Sequence, residues 1–565
     1  MPLIRTRADI DDILGGPTPA EEELLARCLA GEPCHLGDEV PLKGTPDPQV
    51  HIRADVLRYL ITGGCEEHPT ADWGVDVYGA HVTGLLDLSL ATARGVTGLI
   101  LCRFEAPILA RQANLQLLIL NHSVFPRLNA QGAQVTGDVF LRDTTAEDTV
   151  DIGGGIIGGQ LACDNSEFKA TSGHALNFQG TQINSDVFLR DIVAKSTVHL
   201  AGSTIGGYLD STGASLKPAS GDALNAHSAR VRGSIVFRNI EATATVNISG
   251  ATIDGQLSCM GAGFNASSGT ALGAQGAQIA DGFFFRDVTT DGGLVDLNSA
   301  HADTLVDDPG SWPSKDKLIL DGFTYTRIEN TAFPRVKDRL DWLAKGSTWG
   351  HEFLPQPYVQ LAKVYREIGH DKDAQSVLFD LERQRRRHHR EQSRIAPTGD
   401  IDVALKGLWR DMTNLWRLAI DLLLRLIVGY GIRPFRSLWI LGGMTLLATW
   451  LAHMAWEEGS MAPNSAVILT SDDWSALENT VPSPAETWSA RDGPGRDWAT
   501  FNRYAYGADL VIPIIDLGQT DAWAPSTNRE VWGQRLWRYG FFLSIAGWIV
   551  TALGAAAITG IIRRE

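Results

Sequence analysis

Several chemical signatures are absent from this 565-residue sequence. No Gly-x-Gly-x-x-Gly segment joins a strand to a helix, and the glycine run at 153–159 lies inside a repeat instead. The patterns Cys-x-x-Cys, Cys-x-x-Cys-His, His-Glu-x-x-His and Gly-x-Ser-x-Gly do not occur. The sequence therefore predicts no catalytic residue, no metal ligand and no cofactor-binding residue, and we expect no cofactor.

Cysteine is scarce and unevenly distributed. All six cysteines lie in the N-terminal half without regular metal-binding spacing: Cys28, Cys34, Cys65, Cys102, Cys163 and Cys259. We interpret them as buried or free thiols in a reducing compartment. Residues 1–16 also lack the apolar run of a signal peptide, so we expect the N-terminal body to stay in the cytoplasm.

Basic residues are too few to balance the acidic ones. Lys and Arg number 49 against 66 Asp and Glu, which gives a formal net charge of −17. Nucleic-acid binding depends on neutralising phosphates with basic side chains. The charge balance therefore argues against nucleic acid as the main partner.

The strongest feature that is present is an internal repeat. Each repeat block opens on a leucine, and the interval is 48 residues every time: Leu128, Leu176, Leu224 and Leu272. Each block holds two short phrases rich in Val, Ile, Leu and Phe, first seen as DVFLRD (138–143) and GGQL (158–161). Such phrases, bounded by turn residues, predict two strand-bearing turns of about 22 to 26 residues per block.

These turns indicate the fold class. Stacked parallel turns bury an apolar face against their neighbours, as in a solenoid. The sequence therefore predicts a mainly β protein, a right-handed parallel β-helix over 76–330 behind a helical N-terminal cap at 1–75. An α-helical neck and two transmembrane helices are expected to follow.

An arginine recurs within the first phrase of each block: Arg142, Arg190, Arg238 and Arg286. Asp or Asn follows each one, and in an extended strand two such neighbours point to opposite faces. Asp164 takes the matching place in the intervening turn, so we expect it to pair with Arg142. The series is either a solvated ladder that closes each turn or a polar stripe that binds a partner, and its repetition favours the ladder.

Helical periodicity begins after Pro334. Segment 355–387 predicts two amphipathic helices separated at Gly369, within a helical hairpin over 334–395. The hairpin ends in the basic run RQRRRHHREQSR, which precedes an apolar span. Because basic residues near an anionic membrane surface are attracted to it, we expect six arginines to contact membrane lipids: Arg383, Arg385, Arg386, Arg387, Arg390 and Arg394.

Two long apolar runs follow. Residues 437–456 contain no Asp, Glu, Lys or Arg, and 539–562 form the second run, so each is long enough to span a bilayer. Residues 396–436 predict a linker and an amphipathic interfacial helix that ends in a turn with basic anchors, GYGIRPFR (429–436). Basic residues before the first run and after the second place both termini in the cytoplasm, with 457–538 as an extracytoplasmic loop.

Within that loop, residues 501–523 are unusually apolar. This segment fits either an element that rests on the outer surface or a re-entrant element between the two spans. The second arrangement is similar to the span–pore–span plan of simple channels, although no TVGYG-type filter is present. Asp509 and Asp516 would then be the pore residues.

Several segments together resemble one protein family. They are IRADVLRYL (52–60), the repeated GGQL and FLRD phrases, PQPYVQLAKVYREIG (355–369), and the GYGIRP and PIIDLG segments beside the two spans. They are similar to large, mainly actinobacterial β-helix membrane proteins that carry the automatic label "membrane-associated oxidoreductase". The resemblance covers nearly the whole chain and implies a bacterial membrane protein, but it supplies no catalytic residues.

The sequence leads to three functional hypotheses. The first is a membrane-tethered cytoplasmic β-helix that serves as a scaffold or sensor, for a protein partner or for self-association. The second is an oligomeric membrane pore or effector that uses 501–523 as a re-entrant element. The third, from the resemblance, is a membrane-associated oxidoreductase or another enzyme. In each case we expect a multi-pass protein of the bacterial inner membrane.

Overall fold

The computed structural model describes residues 4–266, 269–329, 335–350, 352–394, 419–420, 422–430, 432, 435–478 and 480–559, except for the side chains of 390–394. The chain forms two compact units, Met1–Val377 and Leu378–Glu565. The interfacial helix predicted within 396–436 lies outside the described residues over 396–418 and at 421.

The first unit is a parallel β-solenoid in which a typical turn contributes four short strands to four columns. The first column is a 10-stranded sheet: His51–Arg53, His81–Thr83, Arg103–Phe104, Val124–Phe125, Thr145–Ala146, Glu167–Phe168, Val193–Ala194, Ser215–Leu216, Glu241–Ala242 and Gly263–Phe264. The second is an 11-stranded sheet: Leu86–Asp87, Ile108–Leu109, Leu128–Asn129, Val150–Asp151, His174–Asn177, Thr197–His199, Leu224–Asn225, Val246–Asn247, Thr270–Gly273, Leu294–Asp296 and Leu318–Ile319.

The third and fourth columns form one 20-stranded sheet, because the long strands at the C-terminal end of the solenoid, beginning with Gln278–Phe285, pair with both columns. Its strands are Cys34–His35, Gly74–Tyr78, Val96–Ile100, Asn114–Leu115, Leu117–Ile119, Gln134–Val135, Val139–Phe140, Ile156–Ile157, Leu161–Ala162, Gln182–Ile183, Val187–Phe188, Thr204–Ile205, Leu209–Asp210, Arg230–Val231, Ile235–Val236, Thr252–Ile253, Leu257–Ser258, Gln278–Phe285, His301–Asp307 and Thr324–Glu329. The predicted parallel β-solenoid is confirmed.

Two alternating turn lengths produce the 48-residue repeat. Leu128 pairs with Val150 and Val150 pairs with Leu176, so successive turns contain 22 and 26 residues. The longer turns insert their extra residues between the first and second columns, within 169–175 and 217–223. The prediction of two turns per block is therefore confirmed.

From Phe125 onward the inward side chains of the first column alternate in size from turn to turn. Phe168 stacks on Ala146, and both side chains are fully buried. Because paired residues of adjacent parallel strands lie about 4.8 Å apart, the small side chain leaves room for the large one next to it. Cys163 and Cys259 take such small buried positions, which accounts for two of the six thiols.

A contact between turns supports the two-turn period. Asp138 Oδ1 accepts a hydrogen bond from the backbone N–H of Gln160 in the next turn, at 2.8 Å. The contact requires Gly159, because a Cβ there would overlap the Asp138 carboxylate. Asp186 repeats this arrangement over Gly207. Turns with an acidic residue therefore alternate with turns that have glycine, as the GDV and GGQL phrases do.

The residue after each repeated arginine lies at a corner and not in a strand. These residues have φ values between 53° and 55°: Asp143, Asp191, Asn239 and Asp287. Asp and Asn tolerate this left-handed conformation better than most residues do. The expectation that Arg and Asp point to opposite faces of an extended strand is wrong, because the chain turns immediately after the arginine.

Three helices precede or join the first turns: α1 (Arg7–Leu14), α2 (Pro19–Ala30) and α3 (Ala54–Ile61). Capping boxes begin α1 at Thr6 and α2 at Thr18. Glu21 of α2 is fully buried and accepts a hydrogen bond of 2.9 Å from Nε of Arg53, the residue before α3. This pair joins the N-terminal helices to the first strand of the first column.

Two helices follow the last strand of the solenoid: α4 (Val336–Gly346) and α5 (Gln356–Glu367), with a small antiparallel pair between them, Thr348–Trp349 and Glu352–Phe353. Arg339 of α4 is fully buried and donates hydrogen bonds of 2.8 and 2.7 Å to the Asp307 carboxylate. Trp312 Nε1 donates to the same carboxylate at 2.7 Å. These contacts pack α4 on the end of the solenoid.

Helix α6 (Asp371–Arg394) contains the boundary between the two units. The second unit has two long helices, α7 (Phe435–Glu457) and α13 (Val531–Ile558). Its shorter helices are α8 (Ala466–Leu469), α9 (Asp472–Glu478), α10 (Pro484–Trp488), α11 (Arg503–Val511) and α12 (Gln519–Ala522). Strands Met461–Pro463 and Trp523–Pro525 pair antiparallel. Fully buried Trp474 and Trp523 belong to the core that these elements share.

Candidate membrane-interaction site

The basic end of α6 carries more positive than negative charge. Over 378–389 it has four arginines and only two acidic residues, Asp380 and Glu382. Arg383 lies 3.7 Å from Asp380, while Arg385 and Arg386 lie 3.9 and 3.8 Å from Glu382. Such long contacts on a partly exposed helix surface contribute little to stability. The helix therefore presents a net positive surface.

The six predicted lipid-contacting arginines do not share one environment. Arg383, Arg385 and Arg387 are exposed, while Arg386 is half-buried. Arg390 and Arg394 belong to the same helix, but their side chains lie outside the described residues. Arg386 is thus the least exposed of the four arginines whose side chains the structure describes.

Arg386 belongs to a group that we call the Tyr430 cluster: Phe379, Arg386, Tyr430 and Arg436. The Arg386 guanidinium carbon lies 4.7 Å from the Tyr430 ring centre, and that of Arg436 lies 6.0 Å from the Phe379 ring centre. The two rings are 5.5 Å apart. Cations over aromatic faces are attracted by the ring quadrupole, so the rings hold both guanidinium groups in place.

The backbone around Tyr430 is unusual. Tyr430 has a φ of 58°, a left-handed value that is costly for a bulky residue, and its side chain is buried. Just before it, Ile427 and Val428 pack against Val550 and Ala557 of α13. The cluster therefore lies where α7 begins and α13 ends, and the strained turn is supported by this packing.

Sequence reasoning identified only part of this cluster. Arg386 was a predicted lipid contact, and Arg436 and Tyr430 lie in the turn predicted to carry basic anchors. Phe379 was missed because it reads as one apolar residue of an amphipathic helix. The sequence signal that could have pointed to the cluster is an aromatic residue followed closely by an arginine, as with Phe379 before Arg386 and Tyr430 before Arg436.

At the other end of the two long helices, α11 inserts between them. Its N-terminus is capped by Asn502, whose side chain accepts hydrogen bonds from the next backbone N–H groups. A Cβ on Gly507 would lie 2.7 Å from the backbone nitrogen of Thr449 of α7. A Cβ on Gly547 of α13 would overlap the carbonyl of Val511. Glycine thus allows α11 to approach both helices closely.

These contacts define how far α11 reaches. Thr449 lies in the second half of α7 (Phe435–Glu457), and Gly547 is near the middle of α13 (Val531–Ile558). Val511, the last residue of α11, meets Gly547, after which the chain returns to strand Trp523–Pro525. Segment 501–523 therefore runs to the middle of α13 and back.

Of the two residues named as pore candidates, Asp509 lies in α11 and Asp516 lies on the loop that follows it. The Asp509 carboxylate accepts hydrogen bonds from the backbone N–H groups of Leu517, Gln519 and Thr520 at 2.9, 2.8 and 2.9 Å. Asp516 accepts one from the N–H of Gly518 at 3.0 Å. Both carboxylates thus hold the loop that follows α11.

Two arginines of the repeated series, Arg142 and Arg190, share one acidic partner on the solenoid. Asp164 lies 3.4 Å from Arg142 and 2.9 Å from Arg190, which confirms the expected pair and adds a second one. Hydrogen bonding to Asp164 raises the pKa of Arg190. The Arg142 and Arg190 guanidinium groups also lie over the outward rings of Phe140 and Phe188, at 4.9 and 4.6 Å.

The thiols are chemically unequal. All six cysteines are free, and burial raises the pKa values of Cys28, Cys34 and Cys102 to about 12. Cys65 is the least buried, and the Tyr59 hydroxyl donates to its sulfur at 3.1 Å, which lowers the pKa of that thiol. Among the described residues no three His, Cys, Asp or Glu side chains are placed to hold a metal ion.

Helices α7 and α13 are long and apolar enough, by length and composition, to cross a membrane. In the most apolar window of each helix only 28% of the residues are buried. Comparison with models of protein families, with curated proteins and with solved structures finds no match to this chain.

Proposed function

We propose that this protein is a membrane-anchored scaffold or sensor, in which α7 and α13 anchor the chain and a right-handed solenoid presents its surface to a protein partner. The proposed cellular location is a bacterial inner membrane, with the solenoid and both termini in the cytoplasm. One observation carries the proposal: two long apolar helices with mostly uncovered surfaces belong to the same chain as a long, regular solenoid.

The exposure of α7 and α13 supports the anchor. The core helix of a soluble protein is mostly buried, whereas these helices expose large apolar side chains such as Trp439 and Phe542. Exposed apolar surface of this extent is costly in water and favourable in lipid. Charge supports the orientation, because arginines precede α7 while 457–538 is acidic.

The regular surface of the solenoid supports the scaffold function. The contact of an arginine over an outward phenylalanine recurs two turns apart, at Arg142 and Arg190, and catalytic centres do not normally recur in this way. A repeated surface is suited to an extended contact with another protein. The oxidoreductase function implied by the family resemblance stays a prediction.

An oligomeric pore is a second candidate, favoured by the descent of α11 to the middle of α13. In a single chain, however, Asp509 is occupied by three backbone N–H groups. Ion flux through liposomes that contain the purified wild-type protein would favour the pore. We expect no flux above that of empty liposomes.

Labelling of intact cells tests the anchor and its orientation. Ser475 is exposed within 457–538, and Cys65 is the most accessible natural thiol of the first unit. A membrane-impermeant maleimide should label Ser475→Cys from outside, but Cys65 only after permeabilisation. Labelling of Cys65 alone would contradict the orientation. Release of the protein from membranes by alkaline carbonate would contradict the anchor itself.

A further inference from the structure

The Tyr430 cluster concentrates positive charge at one end of the apolar helices. Arg386 comes from α6 and Arg436 from the first turn of α7, and the Arg436 side chain also lies 3.5 Å from the carbonyl of Arg425. Two arginines from separate segments thus lie beside the strained Tyr430 turn. The acidic residue paired with Arg386, Glu382, is 3.8 Å away and partly exposed.

The arginine positions are organised before any ligand binds. Each of Arg386 and Arg436 lies over an aromatic ring, so part of the entropy that a flexible side chain loses on binding is already lost. Guanidinium groups present planar sets of donors that match phosphate oxygens. A phosphate group is the chemistry that fits two such arginines.

The surroundings of the cluster favour a lipid as the source of this phosphate. Phe435 and Trp439, on the first turns of α7, are 72% and 84% exposed. Aromatic residues at the end of a membrane helix lie at the level of the lipid headgroups. Basic pockets at such positions bind anionic headgroups. A free phosphate would gain nothing from exposed aromatic and apolar side chains.

We propose that the Tyr430 cluster binds the phosphate of an anionic phospholipid, with Arg386 and Arg436 as its donors and with Phe435 and Trp439 beside the acyl chains. This proposal rests on the membrane anchor proposed above. Binding would hold the basic end of α6 against the start of α7.

Retention of lipid by the full chain tests this site. The protein is reconstituted in vesicles of equal phosphatidylglycerol and phosphatidylcholine, extracted in mild detergent and analysed by native mass spectrometry. We expect wild type to retain phosphatidylglycerol selectively. The double variant Arg386→Gln/Arg436→Gln should lose about 30-fold of that preference, given two basic residues at an anionic surface.

Matched variants separate charge from folding. Arg491→Gln/Arg496→Gln removes the same charge from exposed positions of the loop and should leave the preference unchanged. Arg386→Lys/Arg436→Lys keeps the charge but loses the planar donors and the ring stacking, so its preference should fall between those of wild type and the glutamine variant. If the lysine variant loses as much as the glutamine variant, the cluster acts through packing and the proposal is wrong.

Two further outcomes are informative. Displacement of phosphatidylglycerol by millimolar inorganic phosphate would overturn the lipid as the source of the phosphate. A wild-type protein that inserts in vesicles but shows no preference would overturn the site while leaving the anchor intact. Failure of wild type to insert at all would instead overturn the anchor.

Discussion

The solenoid and the second unit use glycine in opposite ways. In the solenoid, Gly159 and Gly207 leave space for the carboxylates of Asp138 and Asp186, so one contact recurs every two turns. In the second unit, Gly507 and Gly547 allow two close approaches between helices, and each approach occurs once. When one such contact is lost in the solenoid, the equivalent contacts of the other repeats stay in place. In the second unit each of these contacts occurs once, so no equivalent contact replaces a lost one.

The ends of the solenoid do not share this redundancy. A solenoid without its caps exposes unpaired strand edges. The Arg339–Asp307 pair joins α4 to the strand His301–Asp307 and has no counterpart in the repeating turns. The difference therefore lies between repeated and unique contacts, and not between the two units.

The largest expected effect comes from this unique pair. Arg339→Ala leaves the fully buried Asp307 carboxylate with the Trp312 N–H but without its charged partner. Breaking a buried ion pair on one side costs about 3–5 kcal/mol. Urea unfolding followed by the β-sheet circular dichroism signal measures the loss.

Arg327→Ala is the matched control for that experiment. Arg327 pairs with Asp303 at 3.0 Å on the last strand, but its side chain is largely exposed. Exposed ion pairs contribute about 0–1 kcal/mol. Equal losses in the two variants would mean that burial does not distinguish the pairs, and the end contact would then be no more critical than a surface pair.

The second prediction concerns a unique contact between helices. Gly547→Ala places a Cβ on the Val511 carbonyl, so α11 must move away from α13. Overpacking of this kind costs about 1–3 kcal/mol. We expect a lower thermal midpoint in detergent and faster protease cleavage within 512–518.

Gly443→Ala on α7 is the control, because a Cβ there meets no atom within 4 Å. Alanine is also a better helix former than glycine. We expect the thermal midpoint to stay the same or rise. A similar fall in both variants would show that glycine acts through helix flexibility and not through the approach of α11.

The same distinction explains what the sequence could predict. The 48-residue period, the two turns per block and the Arg142–Asp164 pair follow from repetition, which is visible in a single chain. The four columns could not be predicted, because strands of two residues, such as Val139–Phe140, are too short for a periodicity test. The corner at Asp143 was missed for the same reason, since the alternation of an extended strand was assumed to continue through it.

Unique contacts were beyond sequence reasoning. Arg339 and Asp307 are 32 residues apart, and neither residue is marked by a repeat or a motif. The apolar composition of 501–523 left a surface-resting and a re-entrant element open, and the approach of α11 to the long helices depends on Gly507 and Gly547, which composition does not single out. The Tyr430 cluster likewise unites residues from three segments.

The smallest expected effect tests whether the repeated contact sets the period. Asp138→Ala removes the hydrogen bond to the Gln160 N–H, which costs about 1 kcal/mol. Gly159→Ala places a Cβ on the Asp138 carboxylate and also destabilises the solenoid. In the double variant the overlap with the carboxylate is gone and only the tighter 3.1 Å approach to the Gly137 carbonyl carbon stays, so we expect the combined loss to be about 1 kcal/mol smaller than the sum.

Gly273→Ala provides the baseline for the cost of alanine at a strand glycine, because its Cβ would meet only ordinary contacts, the nearest at 3.5 Å from Ser249 Oγ. Urea unfolding of all four variants gives the coupling. Additive losses would mean that the two substitutions change the free energy of unfolding independently. The alternation of acidic and glycine turns would then need another cause. A measured coupling would instead mean that neither residue is tolerated well without the other. A duplication of the repeat must then copy the acidic turn and the glycine turn together.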